Sequence, residues 1–246
     1  MSDKKYAVLI DADNVSDKYI KAILDEISNE GTITYKRIYG DWTRPGLSSW
    51  KNILLNHSIT PIQQYGYTTG KSSTDSAMII DAMDILYSGS VDGFCIVSSD
   101  SDFTRLAVRL RESGMNVIGM GEKKTPNAFI AACNRFKYLE IIGGEKVSDD
   151  KGEVRESESD DMTITNIKRA VAEIVSDVSD ESGCAALSDV GNILIKRFPS
   201  FDVRHFGYKK LTPFIKSFGR YDIISVPSEL NPNVKVVLIK EKTNER

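Results

Sequence analysis

The stretch Tyr6-Ala7-Val8-Leu9-Ile10-Asp11-Ala12-Asp13-Asn14 leads from a run of apolar residues straight into two aspartates. The pattern returns at Phe94-Cys95-Ile96-Val97-Ser98-Ser99-Asp100-Ser101-Asp102. Short unbroken apolar runs are typical of strands buried on both faces, so the aspartates fall where two strands end. Carboxylates gathered in one place repel each other unless a positive charge lies among them, and the simplest such charge is a hard divalent cation. The pattern indicates a metal-dependent enzyme.

The first 144 residues alternate predicted strands and helices. The predicted strands are 6–10, 32–39, 59–67, 93–97, 115–120 and 138–142. The predicted helices are 16–29, one that begins at Pro45, 75–87 with Thr74 as its cap, 102–112 and 126–133. Such alternation predicts right-handed crossovers and a Rossmann-like, mostly parallel sheet with helices on both faces. Ligands bind to such sheets beyond the carboxyl ends of the strands, where the aspartates fall.

A composition change divides the chain. Residues 145–161 hold eight acidic and three basic side chains and almost no aliphatic ones, which predicts an acidic flexible linker. We therefore expect a first domain at 1–144 and a second at 162–246. The second has predicted helices at 164–178, 187–197 and 209–217 and predicted strands at 221–226 and 234–239. This is the pattern of a small winged-helix-like α+β domain.

The bulk composition excludes several classes of protein. The chain has 246 residues with a net charge of −3, and no apolar stretch approaches the roughly 20 residues that a membrane-spanning helix needs. Its first residues lead directly into a strand without an apolar signal segment, and its three cysteines are widely spaced. We expect free thiols, a cytoplasmic location and no membrane partner. No Gly-x-Gly-x-x-Gly turn follows the first strand, so a dinucleotide cofactor is not indicated, and the Gly-Lys-Ser at 70–72 lacks the P-loop spacing.

The donor types at the aspartate motifs define the expected chemistry. The only histidines, His57 and His205, lie outside these motifs, so Mg²⁺ or Mn²⁺ is favoured over zinc. These ions serve hydrolysis of phosphodiesters or phosphomonoesters. The candidate ligands are Asp11, Asp100, Asp102 and Asp75, the last of which opens the helix predicted at 75–87.

Other residues near these motifs have a second interpretation. Lys71 could hold a substrate phosphate or be a solvated loop residue. Asp13 and Asp102 could be a turn residue and an N-cap. Asp81 lies about 240° around the helix from Asp75, so it is expected to be structural or supporting.

Two other functions fit the same residues. Asp11-Ala12-Asp13-Asn14-Val15 also fits the nucleophile loop of haloacid dehalogenase-like phosphatases, which would form an aspartyl-phosphate at Asp11 with Asp13 as acid and base. A non-catalytic RNA- or protein-binding regulatory module is the other alternative.

The ordered motifs resemble the NYN domain, a branch of the PIN-like nuclease superfamily, over about residues 5–143. The motifs are Asp11-Ala12-Asp13-Asn14, Tyr39-Gly40-Asp41-Trp42, Gly70-Lys71 with Asp75, Ile80-Asp81-Ala82-Met83-Asp84, Ser98-Ser99-Asp100-Ser101-Asp102-Phe103 and Ala131-Ala132-Cys133. The resemblance implies a ribonuclease in which a metal-activated water attacks the RNA phosphodiester. It implies Asp11, Asp75 and Asp100 as principal ligands, completed by Asp102. It implies Asp13, Asn14, Asp81 and Ser99 as supporting residues, while Ser72 stands where many members have Asn.

The second domain resembles an OST-HTH (LOTUS) domain over about residues 162–241. The resembling stretches are Leu187-Ser188-Asp189-Val190-Gly191, Lys196-Arg197-Phe198-Pro199 and Phe206-Gly207-Tyr208-Lys209-Lys210-Leu211. The resemblance implies binding of RNA or of protein partners. Basic side chains supply charge for phosphates and one tyrosine a surface for stacking: Lys196, Arg197, Arg204, Tyr208, Lys209, Lys210, Lys216 and Arg220. The sequence leaves the oligomeric state open, with a homodimer as one option.

Overall fold

The computed structural model describes residues 3–65, 73–144, 162–228 and 235–242. The chain divides into two compact units, residues 1–148 and 149–246. Each unit has its own hydrophobic core, and each is described by itself below. The predicted linker at 145–161 lies outside the described residues.

The first unit is built on a six-stranded parallel sheet with the order β3-β2-β1-β4-β5-β6. The strands are β1 Lys5–Asp11, β2 Thr32–Gly40, β3 Thr60–Gln63, β4 Gly93–Val97, β5 Asn116–Gly121 and β6 Arg135–Tyr138. All of the described neighbouring strands pair in parallel. The chain builds outward from β1 in one direction and then returns to place β4 on the other side of β1. The carboxyl ends of β1 and β4 therefore form the topological switch point of the sheet.

Helices cover both faces of this sheet. Those against the first face are α1 Ile20–Ser28, α2 Trp50–His57 and α6 Leu139–Ile142, and those against the second are α3 Ser73–Ser88, α4 Thr104–Glu112 and α5 Asn127–Ala132. Strand β1 is apolar from Tyr6 to Ile10 because alternate side chains enter the two cores. Tyr6, Val8 and Ile10 face the first helical layer, whereas Ala7 and Leu9 face the second. This two-residue period places Asp11 on the side of α3 and α4.

The predicted α/β class is confirmed, and most of the predicted elements occur where the sequence places them. The final strand is an exception, because 138–142 was predicted as a strand but residues 139–142 are helical. The strand there is β6, which pairs with β5 from Arg135 to Tyr138 and ends where β5 ends. Leu139 is buried in the core on the side of α1, so its aliphatic neighbourhood reflects helix packing.

Several boundaries also differ. The third strand ends at Gln63, and residues 66–67 of its predicted extent lie outside the described part of the chain. Pro45 opens a short 3-10 turn, and α2 begins only at Trp50. Helix α3 begins at Ser73, two residues before the predicted start.

The second unit combines three helices with a three-stranded antiparallel sheet of order β7-β9-β8. Its elements are α7 Ile164–Val178, β7 Cys184–Ala186, α8 Leu187–Arg197, α9 Leu211–Lys216, β8 Tyr221–Pro227 and β9 Lys235–Glu241. Strand β7 has three residues and was not predicted. The small winged-helix-like α+β class is confirmed. Across the described ranges of both units, no helix has the length and apolar character needed to cross a membrane.

Candidate metal centre

Three carboxylates meet beyond the carboxyl ends of the central strands. One oxygen each from Asp75, Asp100 and Asp102 lies within 4.8 Å of the other two. Asp75 belongs to the first turn of α3, and the other two belong to the turn that follows β4. The site thus joins a helix that crosses the second face of the sheet to the turn at the switch point.

The turn after β4 is fixed by its own polar groups. Oδ1 of Asp100 accepts the backbone N–H of Asp102 at 2.9 Å and so caps the 3-10 turn Ser101–Phe103. The N-cap is therefore Asp100, and the alternative role of Asp102 as the cap is wrong. Phe103 is completely buried and anchors the turn in the core. This anchoring holds the two carboxylates at the sheet edge.

The donor set fits a hard divalent cation. Oxygens that coordinate one Mg²⁺ at about 2.1 Å are at most about 4.2 Å apart, and slightly farther apart for a larger ion. The 4.8 Å limit on the three carboxylates approaches this spacing. The group holds no histidine or cysteine, and all-oxygen donors suit Mg²⁺ or Mn²⁺. Asp75, Asp100 and Asp102 would hold the ion.

Asp11 is not part of this three-acid group. Its side chain is completely buried at the end of β1, where both oxygens accept hydrogen bonds. Oδ1 accepts the backbone N–H of Asp13 at 3.0 Å, and Oδ2 accepts the Asn14 amide at 2.7 Å and the Ser98 hydroxyl at 2.8 Å. Burial raises the pKa of Asp11 above its usual value, although these three hydrogen bonds act in the opposite direction.

Ser98 connects Asp11 to the three-acid group. Its buried hydroxyl donates to Asp11 and accepts the backbone N–H of Asp100 at 3.1 Å. Sequence reasoning did not select this residue. The parallel register pairs Ile10 with Val97, which sets Asp11 beside Ser98, and only the strand order makes that register visible.

The supporting residues have separate positions. Asn14 contacts Asp11 directly, whereas the Asp13 carboxylate lies 3.7 Å from the guanidinium of Arg44 in an exposed ion pair. Ser99 is buried, and its hydroxyl accepts the backbone N–H of Glu122 at 2.8 Å, which ties the ends of β4 and β5 together. Lys71 lies outside the described residues.

Asp81 does not belong to the three-acid group. Its carboxylate accepts hydrogen bonds from the Tyr39 hydroxyl and from the Arg37 guanidinium, both on β2. Burial and this contact raise the pKa of Tyr39 well above its usual value. Asp81 therefore fastens α3 to the sheet, in keeping with its predicted position on the helix.

The basic residues that the sequence predicts to bind RNA fall into two groups. Three arginines already bind acids: Arg197 contacts Glu173 at 3.1 Å and Asp177 at 3.5 Å, Arg204 forms a bidentate pair with Asp202, and Arg220 contacts Glu241 at 2.7 Å. Four exposed lysines remain: Lys196, Lys209, Lys210 and Lys216. Tyr208 is only partly exposed and packs edge-on against Phe214, with 5.4 Å between ring centroids.

Two family models match the chain: the NYN domain over residues 5–140 and the OST-HTH/LOTUS domain over residues 162–230. No curated protein is significantly similar to it in sequence. A crystal structure of a protein of unknown function from Vibrio parahaemolyticus RIMD 2210633 is 20% identical, covers 55% of this chain and 93% of its own, and has a TM-score of 0.47. That of Acinetobacter baumannii MurG is 11% identical, covers 55% of this chain and 40% of its own, and has a TM-score of 0.37.

Proposed function

We propose that this chain, which belongs to the NYN domain family over residues 5–140, is a metal-dependent ribonuclease that holds RNA with its OST-HTH/LOTUS domain. The observation that carries the proposal is the convergence of Asp75, Asp100 and Asp102 at the switch point of the sheet. A nuclease-family domain and an RNA-binding type of domain in one chain support RNA as the substrate.

The three acids have distinct tasks in this proposal. They would hold Mg²⁺ or Mn²⁺, which would supply activation of water and stabilisation of charge on the phosphodiester. Asp100 also organises its own turn, because it accepts the N–H of Asp102. Asp75 connects the site to α3, whose position on the sheet is secured by the contact between Asp81 and β2.

Asp11 is buried at the end of β1 and holds its neighbours by hydrogen bonds. Three donors bind its carboxylate, and the hydroxyl of one of them, Ser98, also accepts a hydrogen bond from the backbone N–H of Asp100. We therefore assign Asp11 to positioning the Asp100 turn. Its role as a direct metal ligand stays a prediction.

The second unit would supply RNA affinity. Lys209 and Lys210 directly precede α9, while Lys196 and Lys216 lie in the last turns of α8 and α9. All four are exposed and suited to phosphates, whereas the arginines bound to acids would have to exchange partners. Covalent attachment of such a domain raises the concentration of RNA near the cleavage site without new contacts there.

The test is cleavage of a fluorescent single-stranded RNA by the full chain in Mn²⁺, compared with the Asp100→Asn variant. Loss of a ligand should lower kcat/KM by at least about 100-fold, since even groups behind the ligands contribute 10- to 100-fold. Asp84→Asn is the matched control, because Asp84 is an exposed acid on α3, about 180° around the helix from Asp75. Equal cleavage by the Asp100→Asn and wild-type proteins, or full activity in a chelator, would overturn the proposal.

The same samples test the alternatives. RNA binding that persists in chelator, without cleavage of any RNA, would identify a non-catalytic binding module. A phosphatase would release phosphate from p-nitrophenyl phosphate and form an aspartyl-phosphate at Asp11. The burial of Asp11 does not favour this chemistry, because a nucleophile must reach its substrate.

A further inference from the structure

The loop that follows β5 lies beside the candidate centre and carries two adjacent lysines, Lys123 and Lys124. Neither lysine has a role in the function proposed above. The backbone N–H of Glu122, the first residue after β5, donates to the Ser99 hydroxyl at 2.8 Å. Ser99 directly precedes Asp100 in the chain. The lysine loop therefore starts one hydrogen bond away from the turn that holds the acids.

Specific contacts hold the loop in place. The backbone N–H of Lys123 donates to the Glu140 carboxylate at 3.0 Å, and both the N–H and the hydroxyl of Thr125 donate to the carbonyl of Glu122, at 3.0 and 2.6 Å. At Gly121, a Cβ would lie 2.5 Å from the Thr125 hydroxyl and 2.6 Å from the Ser98 carbonyl. Such packing leaves no room for a side chain at Gly121, so the backbone that leads into the loop lies close to the end of β4.

The backbone of this loop is fixed, but its two lysine side chains extend into solvent. Both residues are exposed. Nζ of Lys124 lies 2.8 Å from the Glu122 carboxylate, yet 65% of the lysine side chain is accessible. Exposed pairs of this kind contribute little stability, so a phosphate can compete with the glutamate for the Lys124 ammonium group. Lys123 uses only its backbone N–H in the contact with Glu140.

We propose that Lys123 and Lys124 bind RNA backbone phosphates next to the scissile one, on the β5 side of the candidate centre. This inference rests on the proposed ribonuclease function and adds a direction to it, since the bound strand would run from the end of β4 toward the end of β5. Acidic side chains crowd the centre, so flanking phosphates need a separate source of positive charge. The two lysines supply this charge from a loop whose backbone is tied to the Asp100 turn.

The test is the salt dependence of RNA binding by the full chain. Binding of a fluorescent oligoribonucleotide is measured with the Asp100→Asn variant, in which cleavage is suppressed, with and without Lys123→Ala and Lys124→Ala together. Each phosphate contact to a single strand contributes about 0.7 to the slope of log K against log salt, so loss of two contacts should reduce the slope by about 1.4. The matched control is Lys4→Ala with Lys5→Ala, an exposed pair at the amino end of β1. The candidate centre lies beyond the carboxyl ends of the strands.

Kinetics of the otherwise wild-type chain separate binding from chemistry. The Lys123 and Lys124 substitutions should raise KM for RNA with little change in kcat, because flanking phosphates are held equally before and during the reaction. An unchanged salt slope, or a slope reduced equally by the control pair, would overturn the inference. Absence of Mn²⁺-dependent cleavage in the wild type would instead overturn the ribonuclease proposal, and the binding slope would still report on the loop.

Discussion

Replacement of Ser98 by alanine should destabilise the first unit far more than its small size suggests. The hydroxyl is buried, donates to the Asp11 carboxylate at 2.8 Å and accepts the N–H of Asp100 at 3.1 Å. Alanine leaves a buried carboxylate with one donor fewer and a backbone N–H without its acceptor. Hydrogen bonds to charged groups contribute about 1.5–3 kcal/mol, so we expect the free energy of unfolding to fall by about 2–3 kcal/mol.

Urea unfolding monitored by tryptophan fluorescence measures this loss selectively. The chain has two tryptophans, Trp42 and Trp50, and both lie in the first unit. The control is Ser113→Ala, since the Ser113 hydroxyl donates to the Arg109 carbonyl at an exposed helix end. We expect the control to change stability by less than about 0.5 kcal/mol. A Ser98→Ala loss no larger than this would refute the assigned contact.

The pH dependence of the same loss provides a second check. Burial already raises the pKa of Asp11, and removal of the Ser98 donor, which favours the charged form, should raise it further. Below the folded-state pKa of the wild type, Asp11 is protonated in both proteins and the charge-dependent part of the loss is absent. The loss should therefore grow as the pH rises through the interval between the two folded-state pKa values. A loss that is constant across this interval would contradict an ionised Asp11 as the acceptor.

Three further outcomes can be measured on the same protein. Asp81→Ala should lower the free energy of unfolding by about 2 kcal/mol, because the buried Tyr39 hydroxyl loses its acceptor. Urea unfolding followed by tryptophan fluorescence measures this decrease, and unchanged stability would exclude the contact between Asp81 and Tyr39. Burial raises the pKa of Cys133 to about 12, so iodoacetamide at pH 8 should alkylate the more exposed Cys184 first. Mass spectrometry measures the order of alkylation, and the reverse order would contradict the burial of Cys133. Burial acts to raise the pKa of Asp202, but the hydrogen bonds and charge of Arg204 outweigh it and lower this pKa. The ionised Asp202 therefore stabilises the second unit fully above the unfolded-state pKa of about 3.9. This stabilisation is lost as the pH falls through the lower folded-state pKa. Hydrogen exchange of peptides from residues 187–216 at decreasing pH should show this loss, and an Asp202→Ala variant with unchanged exchange at neutral pH would refute it.

Local pattern was sufficient for the strands that are buried on both faces. Strand β4 is apolar at every position because alternate side chains enter two cores, and this run is visible in the sequence. Pattern was insufficient for short aliphatic stretches, where a strand and a helix look alike. Residues 139–142 form α6 because the pairing between β5 and β6 ends at Tyr138. Strand β7 has three residues and is too short to show a period.

The candidate site shows the same division. Sequence spacing identified the acids at the ends of β1 and β4 and at the start of α3, and the structure brings Asp75, Asp100 and Asp102 together. The direct ligand role of Asp11 stays a prediction, and the folded geometry adds information that spacing could not supply. Its carboxylate is turned inward to three donors, one of which, Ser98, became a partner only when β4 paired with β1.

The sequence by itself determined that acids follow the apolar runs of β1 and β4, which faces of the helices are apolar and which side chains have the chemistry to bind a hard cation. These are properties of neighbours in the chain, and periodicity reports them directly. Only the tertiary structure decided that β4 returns to the side of β1, which creates the switch point and joins Asp11, Ser98 and Asp100 in one network. The physical reason is that strand order depends on how two helical layers pack against one sheet, an outcome of contacts between residues far apart in sequence.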